Sequence, residues 1–136
     1  MADQNQVVPE SNANTPLILV VEDDKFLRDL LVHKIEERGY RVEVAVDGEE
    51  GAKQIEALRP DLVLLDLILP GLDGFGVLGQ IHDDPRLSQI PVIILSNLGQ
   101  QEEIEKGLSL GAKDYMIKAH FTPQEVVDRI KKILGR

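Results

Sequence analysis

The sequence predicts an α/β fold, a doubly wound parallel sheet of five strands with five helices, and three observations support it. Short apolar runs alternate five times with stretches whose apolar residues recur at helical spacing. Glycines and helix-capping residues separate these segments. The 136 residues are enough for one hydrophobic core. Repeated strand–helix units therefore predict parallel strands that are covered by helices on both faces.

The first two units differ in the pattern of their strands. Residues 17–21 are uniformly apolar, as a buried strand requires, and the helix predicted at 24–38 has leucines at helical spacing. Residues 41–46 instead alternate, with valines on one face, which predicts an edge strand with one wetter face. Asp47 is followed three residues later by Glu50, and this variant of the capping box predicts the start of the second helix.

The remaining units follow the same order along the chain. Strands are predicted at 62–65, 92–95 and 115–117. Helices are predicted at about 74–81, at 100–110 and from Thr122 to Ile133. The last helix opens with a capping box, Thr122 to Glu125, and has proline at its first position. An edge second strand fits the flavodoxin-like order 2-1-3-4-5, in which the switch point lies between strands one and three.

Composition narrows the classes of function. The net charge of −9 makes the chain a poor binder of nucleic acid phosphates, so direct nucleic acid binding is not expected. No apolar run approaches the length that crosses a bilayer, so a membrane is not an expected partner either. The absence of cysteine excludes disulfides and thiolate sites, and a cytoplasmic location is expected. Residues 1–15, rich in Asn and Gln, predict a disordered tail, and residues 16–136 predict a single domain.

Charged side chains end the strands that border the predicted switch point. Glu22 and Asp23 follow strand one and Asp66 follows strand three, at the sheet edge where ligands bind. Carboxylates about 4 Å apart repel by about 4 kcal/mol at an effective dielectric of about 20, so the cluster must bind a cation, take up protons or splay apart. Ser96 and Lys118, after strands four and five, can contact phosphoryl oxygens. Oxygen ligands suit Mg²⁺, and a carboxylate beside Mg²⁺ can form an aspartyl phosphate.

Four ordered motifs resemble the receiver domain of two-component response regulators. They are Ile-Leu-Val-Val-Glu-Asp-Asp (18–24), Asp-Leu-Val-Leu-Leu-Asp-Leu-Ile-Leu-Pro-Gly-Leu-Asp-Gly (61–74), Ile-Pro-Val-Ile-Ile-Leu-Ser (90–96) and Gly-Ala-Lys-Asp-Tyr-Met-Ile-Lys (111–118). The similarity spans about residues 16 to 136. It implies a phosphoacceptor signalling switch that receives a phosphoryl group from a histidine kinase or a histidine phosphotransfer protein. Apart from its own phosphorylation and dephosphorylation, such a domain is expected not to be an enzyme.

The resemblance also implies roles for individual residues. Asp66 corresponds to the phosphoacceptor, Ser96 to the switch hydroxyl and Lys118 to the lysine that contacts phosphate. Tyr115 corresponds to the switch aromatic, which turns inward once the hydroxyl moves toward the phosphoryl group. The ligands expected for Mg²⁺ are Glu22, Asp23, Asp66 and the backbone carbonyl of Ile68.

Some positions near the site depart from the family pattern, and others are expected to set the lifetime of the phosphoryl group. Ala119 replaces the usual proline, which the family places in a cis peptide. Because a non-proline cis bond costs about 2.5–4 kcal/mol, the site either holds that strain or has a trans peptide with Lys118 placed differently. Asn97 stands where a small residue is common, which predicts altered access to Asp66. Ile68 and Leu98 are expected to flank the phosphoryl group, and as apolar side chains they predict slow self-dephosphorylation because they cannot orient water.

The resemblance implies an output surface on the fourth helix, fifth strand and fifth helix, around Lys106, Tyr115 and Arg129. Phosphorylation is expected to change this surface, which would then control an unknown downstream protein or form a homodimer.

Three alternatives to this function stay open. One is a phosphorylation-independent interaction module on the same scaffold. Another is a haloacid-dehalogenase-like phosphatase, although the Asp-x-Asp motif of that class is incomplete at Asp66. The third is a receiver fused to a DNA-binding domain, although no basic helix-turn-helix segment is present in the sequence.

Overall fold

The computed structural model describes residues 15–136, so all of the predicted tail except Thr15 lies outside the described residues. The strands are β1 (Leu17–Val21), β2 (Arg41–Ala45), β3 (Leu62–Leu65), β4 (Val92–Ser96) and β5 (Asp114–Ile117). The α-helices are α1 (Lys25–Glu37), α2 (Gly48–Leu58), α3 (Gly74–Asp83), α4 (Gln101–Ser109) and α5 (Pro123–Leu134). A 3-10 turn, Lys118–His120, connects β5 to α5. Among these residues, no helix combines the length and the apolar character that crossing a bilayer requires.

All strands are parallel, and their order is β2-β1-β3-β4-β5. This order confirms the predicted flavodoxin-like fold. β1 pairs with both β2 and β3, which puts the switch point at the carboxyl ends of β1 and β3. Val21 is in register with Leu65, and Ser96 is in register with Ile117. The residues that follow these strands therefore meet at one edge of the sheet.

Helices cover both faces of the sheet and form two hydrophobic cores. One core lies under α2 and α3 and contains Ile55 and Val77, and the other lies under α1 and α5 and contains Leu31 and Val127. Every residue of β1, β3 and β4 is buried. A strand with a helix on each face must be apolar on both, which explains the uninterrupted apolar runs.

Helix caps determine where several helices begin, largely as the sequence predicts. The Asp24 side chain caps α1, and Thr122 forms a complete capping box with Glu125 at α5. At α2 the expected box is only half formed. Asp47 accepts a hydrogen bond from the Glu50 backbone, but the Glu50 carboxylate accepts from Val46 N at 2.8 Å and not from Asp47 N.

β2 is an edge strand, as predicted, but its buried side chain is not a valine. Ala45 is fully buried in the core under α2 and α3, whereas Val44 and Val46 are 36% and 41% exposed. On the valine face only Val42 packs against the core under α1 and α5. Periodicity therefore identified an edge strand correctly, but two of the three valines on its apolar face are exposed.

Candidate functional site

A cavity of about 290 Å³ opens at the carboxyl ends of the strands. Its lining includes Glu22, Asp23 and Asp66, whose carboxylate oxygens lie within 4.8 Å of one another. Lys118 and Ile68 line the same cavity. The structure therefore brings together the predicted acceptor, the predicted acidic metal ligands and the predicted lysine.

Hydrogen bonds that continue the sheet position the two inner carboxylates. Glu22 N donates to Ala45 O at 3.0 Å, and Asp66 N donates to Val21 O at 3.1 Å. Because both residues extend the strand pairing by one step, both are carried into the interior, and they are 2% and 5% exposed. A carboxylate buried to this degree needs a partner of opposite charge or several hydrogen bonds.

Lys118 is that partner. Its Nζ lies 2.8 Å from Asp66 Oδ2 and 2.9 Å from Glu22 Oε1. Burial opposes the charge on Lys118, but hydrogen bonds to Asp66 and Glu22 outweigh this and raise the pKa of Lys118. Burial also raises the pKa of Glu22, although the hydrogen bond from Lys118 works against the rise. The lysine is thus held in its charged form between two carboxylates.

The peptide that joins Lys118 to Ala119 is trans, since no cis peptide occurs in residues 15–136. The sequence leaves open a strained cis peptide or a trans peptide at this bond, and the structure has the trans peptide. Lys118 is the first residue of the 3-10 turn, and its side chain contacts Asp66 from that position.

Arg28, which the sequence gave no reason to select, supports the acidic segment after β1. Its Nη1 donates to the carbonyl oxygens of Glu22 at 3.0 Å and of Asp23 at 3.3 Å. The Glu22 carboxylate in turn accepts a hydrogen bond from Asp24 N at 3.1 Å. Hydrogen bonds therefore hold both the backbone of Glu22 and Asp23 and the carboxylate of Glu22 in place. The only sequence signal was an arginine one turn after the Asp24 cap.

The two predicted switch residues contact the same residue, Leu98. Ser96 is fully buried, and its Oγ accepts a hydrogen bond from Leu98 N at 3.3 Å. The Tyr115 hydroxyl donates to the carbonyl oxygen of Leu98. Burial raises the pKa of the Tyr115 phenol, and the negative charges of Glu103 and Asp66 add to the rise. Serine and tyrosine are thus linked through one backbone segment.

The two apolar residues that were expected beside the phosphoryl group lie in different places. Ile68 lines the cavity and is 57% exposed. Leu98 is half-buried against the core under α2 and α3 and is not among the residues that line this cavity, so its expected place beside the phosphoryl group stays a prediction. The residue that lines the cavity from this loop is Asn97.

The donor set fits Mg²⁺. Glu22, Asp23 and Asp66 each offer one carboxylate oxygen, and Asp23 is exposed to solvent. Mg²⁺ prefers hard oxygen ligands and usually keeps several waters, which an open acidic cavity allows. No nitrogen or sulfur ligand belongs to this group.

Comparison with known proteins decides the family. A family model described as the response regulator receiver domain matches residues 18–131. The chain belongs to the response regulator receiver domain family. This membership places it among the proteins of two-component signalling, and the match includes every residue for which a site role was predicted.

Named relatives share this receiver domain over only part of their length. The DNA-binding dual master transcriptional regulator RpaA of Synechocystis sp. is 40% identical over 121 residues, which are 89% of this chain and 50% of RpaA. The alkaline phosphatase synthesis transcriptional regulatory protein PhoP of Bacillus subtilis is 44% identical over 121 residues, 88% of this chain and 48% of PhoP. The chain thus spans about half the length of the curated relatives it matches.

A solved receiver domain has the same fold over nearly all of its length. The Francisella response regulator 1452 receiver domain superposes with a TM-score of 0.82 at 34% identity. The alignment covers 90% of this chain and 98% of the Francisella chain. The helices and strands described above are therefore those of a receiver domain.

Proposed function

We propose that this chain is a phosphoacceptor switch in which Asp66 takes a phosphoryl group from a histidine kinase or a histidine phosphotransfer protein. One observation carries the proposal. Asp66 is buried below an open acidic cavity, and its Oδ2 lies 2.8 Å from the ammonium of Lys118. An acid at the end of an apolar strand has no packing role, and the lysine is placed where the oxygens of a bound phosphoryl group would need a positive charge.

In the proposed transfer, a carboxylate oxygen of Asp66 attacks phosphorus while the bond from phosphorus to the donor histidine breaks. Lys118 stabilises the charge on the phosphoryl oxygens, which is the main requirement of phosphoryl transfer. Ser96 is the hydroxyl available to donate to one of these oxygens. Mg²⁺, for which Glu22, Asp23, Asp66 and the Ile68 carbonyl are the proposed ligands, would supply further positive charge when bound.

The proposed output follows from the contacts of Leu98. A Ser96 hydroxyl that turns toward the phosphoryl group gives up its hydrogen bond from Leu98 N, and Tyr115 holds the carbonyl of the same residue. Phosphorylation would thereby shift a pre-existing equilibrium of the surface formed by α4, β5 and α5. The partner at this surface is a downstream protein or a second copy of the chain. Light scattering with and without phosphorylation distinguishes the two.

The proposal includes no separate substrate. Turnover is limited to transfer from the donor onto Asp66 and to hydrolysis of the resulting acyl phosphate by water. RpaA is named a DNA-binding regulator, but this chain matches only half of it, so DNA binding is not part of the function proposed for these 136 residues. The cytoplasmic location stays a prediction.

The decisive experiment is the intact mass of the protein after incubation with acetyl phosphate. We expect one added phosphoryl group when Mg²⁺ is present, and none without Mg²⁺ or in Asp66→Asn. Phosphorylation of Asp66→Asn to the wild-type extent would move the acceptor elsewhere. A wild-type protein that gains no mass at saturating Mg²⁺ would support the phosphorylation-independent interaction module instead.

A further inference from the structure

Lys118 borders two cavities of opposite character. Its ammonium contacts the carboxylates of the acidic cavity. It also lines an apolar cavity of about 30 Å³ together with Leu27, Leu95 and Phe121. Since the charged end is in the acidic cavity, the aliphatic stem is the part of the lysine that borders the apolar one, as long cationic side chains commonly do.

Phe121 is the first residue after Lys118 whose side chain packs against a hydrophobic core. Ala119 and His120, which lie between the two, are both exposed. Phe121 directly follows the 3-10 turn and packs against the core under α1 and α5. The turn that begins with Lys118 is therefore anchored at its far end by this ring.

The outer side of the Phe121 ring is held as well. The guanidinium carbon of Arg129 lies 5.7 Å from the ring centroid, within the range of a cation–π contact. Arg129 also forms an ion pair with Asp114, the first residue of β5. The ring is thus fixed between the core and an arginine that is tied back to the strand leading to Lys118.

We infer that Phe121 is a positioning residue for Lys118 in phosphoryl transfer, an inference that rests on the function proposed for Asp66. A free lysine side chain has about 2 kcal/mol of rotamer entropy, and a flexible ammonium would be placed over the acceptor for only part of the time. The walls formed by Leu95 and Phe121 limit the conformations of the stem before a phosphoryl group arrives. Preorganised charge of this kind speeds transfer because it needs no rearrangement during the reaction.

The test compares phosphorylation rates with acetyl phosphate and saturating Mg²⁺ in variants of the whole 136-residue chain. Phe121→Ala removes the ring, and we expect a loss of about tenfold, while Phe121→Leu, which keeps an apolar wall, should restore most of the rate. Ile133→Ala is the matched control, because it truncates an α5 residue that packs against the same core away from the apolar cavity. Should Phe121→Ala fail to fold, Leu27→Ala opens the same cavity from α1.

A double-mutant comparison separates positioning from general destabilisation. If Phe121 acts through Lys118, Phe121→Ala should cause no further loss in a Lys118→Ala background. The same fold-loss in both backgrounds, or wild-type rates in Phe121→Ala, would overturn the inference.

A second readout does not depend on phosphorylation. We expect the ¹³C order parameter of Lys118 Cε to fall in Phe121→Ala and to stay unchanged in Ile133→Ala. An unchanged order parameter in Phe121→Ala would overturn the positioning role. A lowered order parameter in a protein that acetyl phosphate does not modify would support the positioning role while the proposed function failed.

Discussion

The surroundings of Tyr115 shift the pKa of its phenol. Burial raises its pKa, and the charges of Glu103 and Asp66 add to the rise, so we expect it to titrate above the ordinary value of 10.0. The folded state then keeps the phenolic proton to a higher pH than the unfolded state does. The contribution of Tyr115 to the free energy of unfolding is therefore fully present below pH 10.0 and is lost as the pH rises through the pKa of the folded state.

Tyrosinate absorbance in Tyr40→Phe measures this pKa, since Tyr115 is then the remaining tyrosine. The substitution is mild because the Tyr40 hydroxyl is buried with no hydrogen-bond partner among the residues described. Adding Glu103→Gln should bring the pKa of Tyr115 closer to its ordinary value. A titration that does not respond to this second change would contradict the electrostatic part of the explanation.

Ile68 is the residue expected to protect an acyl phosphate on Asp66. It lines the acidic cavity with an apolar side chain, which cannot orient an attacking water. Ile68→Asn provides a hydrogen bond worth about 1 kcal/mol, so we expect dephosphorylation to be about fivefold faster. Ile68→Val should keep the slow rate. Decay of the phosphorylated mass after removal of the donor is the measurement, and equal lifetimes in the two variants would disprove this role.

For single residues, the sequence predicted which side chains meet at the site when those residues directly follow a strand. Glu22, Asp66 and Lys118 were predictable because parallel strands of known order bring their carboxyl ends together. The packing of Leu98 against the core and of Phe121 beside the apolar cavity was not. This packing depends on loop conformations and on rotamers, and neither leaves a periodic pattern in the sequence.

At the level of secondary-structure elements, the start of α2 depends on a glycine. A Cβ at Gly48 would lie 1.6 Å from the carbonyl oxygen of Leu72, so α2 packs directly on the loop that follows β3. We expect Gly48→Ala to destabilise the protein by about 1–3 kcal/mol through overpacking, although alanine is the better helix former.

Gly79 in α3 is the matched control for this prediction. A Cβ added there would have no neighbouring atom within 4 Å, so Gly79→Ala should stabilise the protein by about 0.5–1 kcal/mol. Urea unfolding at constant m-value measures both changes. Stabilisation of both variants would show that helix propensity, and not the contact with Leu72, decides the outcome at Gly48.

Helix boundaries were predictable because capping side chains mark them. The largest difference between a predicted and an observed boundary is at α3, which ends at Asp83 and not at residue 81. The exposure of the β2 valines was not predictable. A period of two separates the faces of a strand, but it does not state how far a neighbouring helix extends over the sheet edge.

At the level of the whole molecule, stability should depend on the cation that neutralises the acidic cavity. Removing Lys118 leaves the buried Glu22 and Asp66 without their partner, a change that typically costs about 3–5 kcal/mol. We therefore expect Lys118→Met to unfold at lower urea in the absence of Mg²⁺.

Mg²⁺ should restore much of that loss, since a ligand at 100 times its Kd stabilises a fold by about 2.7 kcal/mol. The gain in unfolding free energy with Mg²⁺ should be larger in Lys118→Met than in the wild type, because the lysine no longer competes for the carboxylates. Lys113→Met, at an exposed lysine, is the control. Equal gains in all three proteins would contradict the coupling between lysine and metal.

The topology as a whole could be predicted because two patterns agreed. Five alternations of apolar runs and helical periods indicated the parallel sheet, and the single alternating strand indicated which strand lies at an edge. The partner of the α4–β5–α5 surface could not be predicted, because a surface is shaped by its own side chains and by a second molecule that the chain does not encode.

The two hydrogen bonds to Leu98 have a consequence for spectroscopy. Its N–H donates to Ser96 and its carbonyl accepts from Tyr115, so this one backbone residue registers the state of both proposed switch side chains. The chemical shift of the Leu98 amide proton and its exchange with solvent should therefore act as an intrinsic reporter. With a label on this one leucine, activation could be followed in solution without knowledge of the output partner.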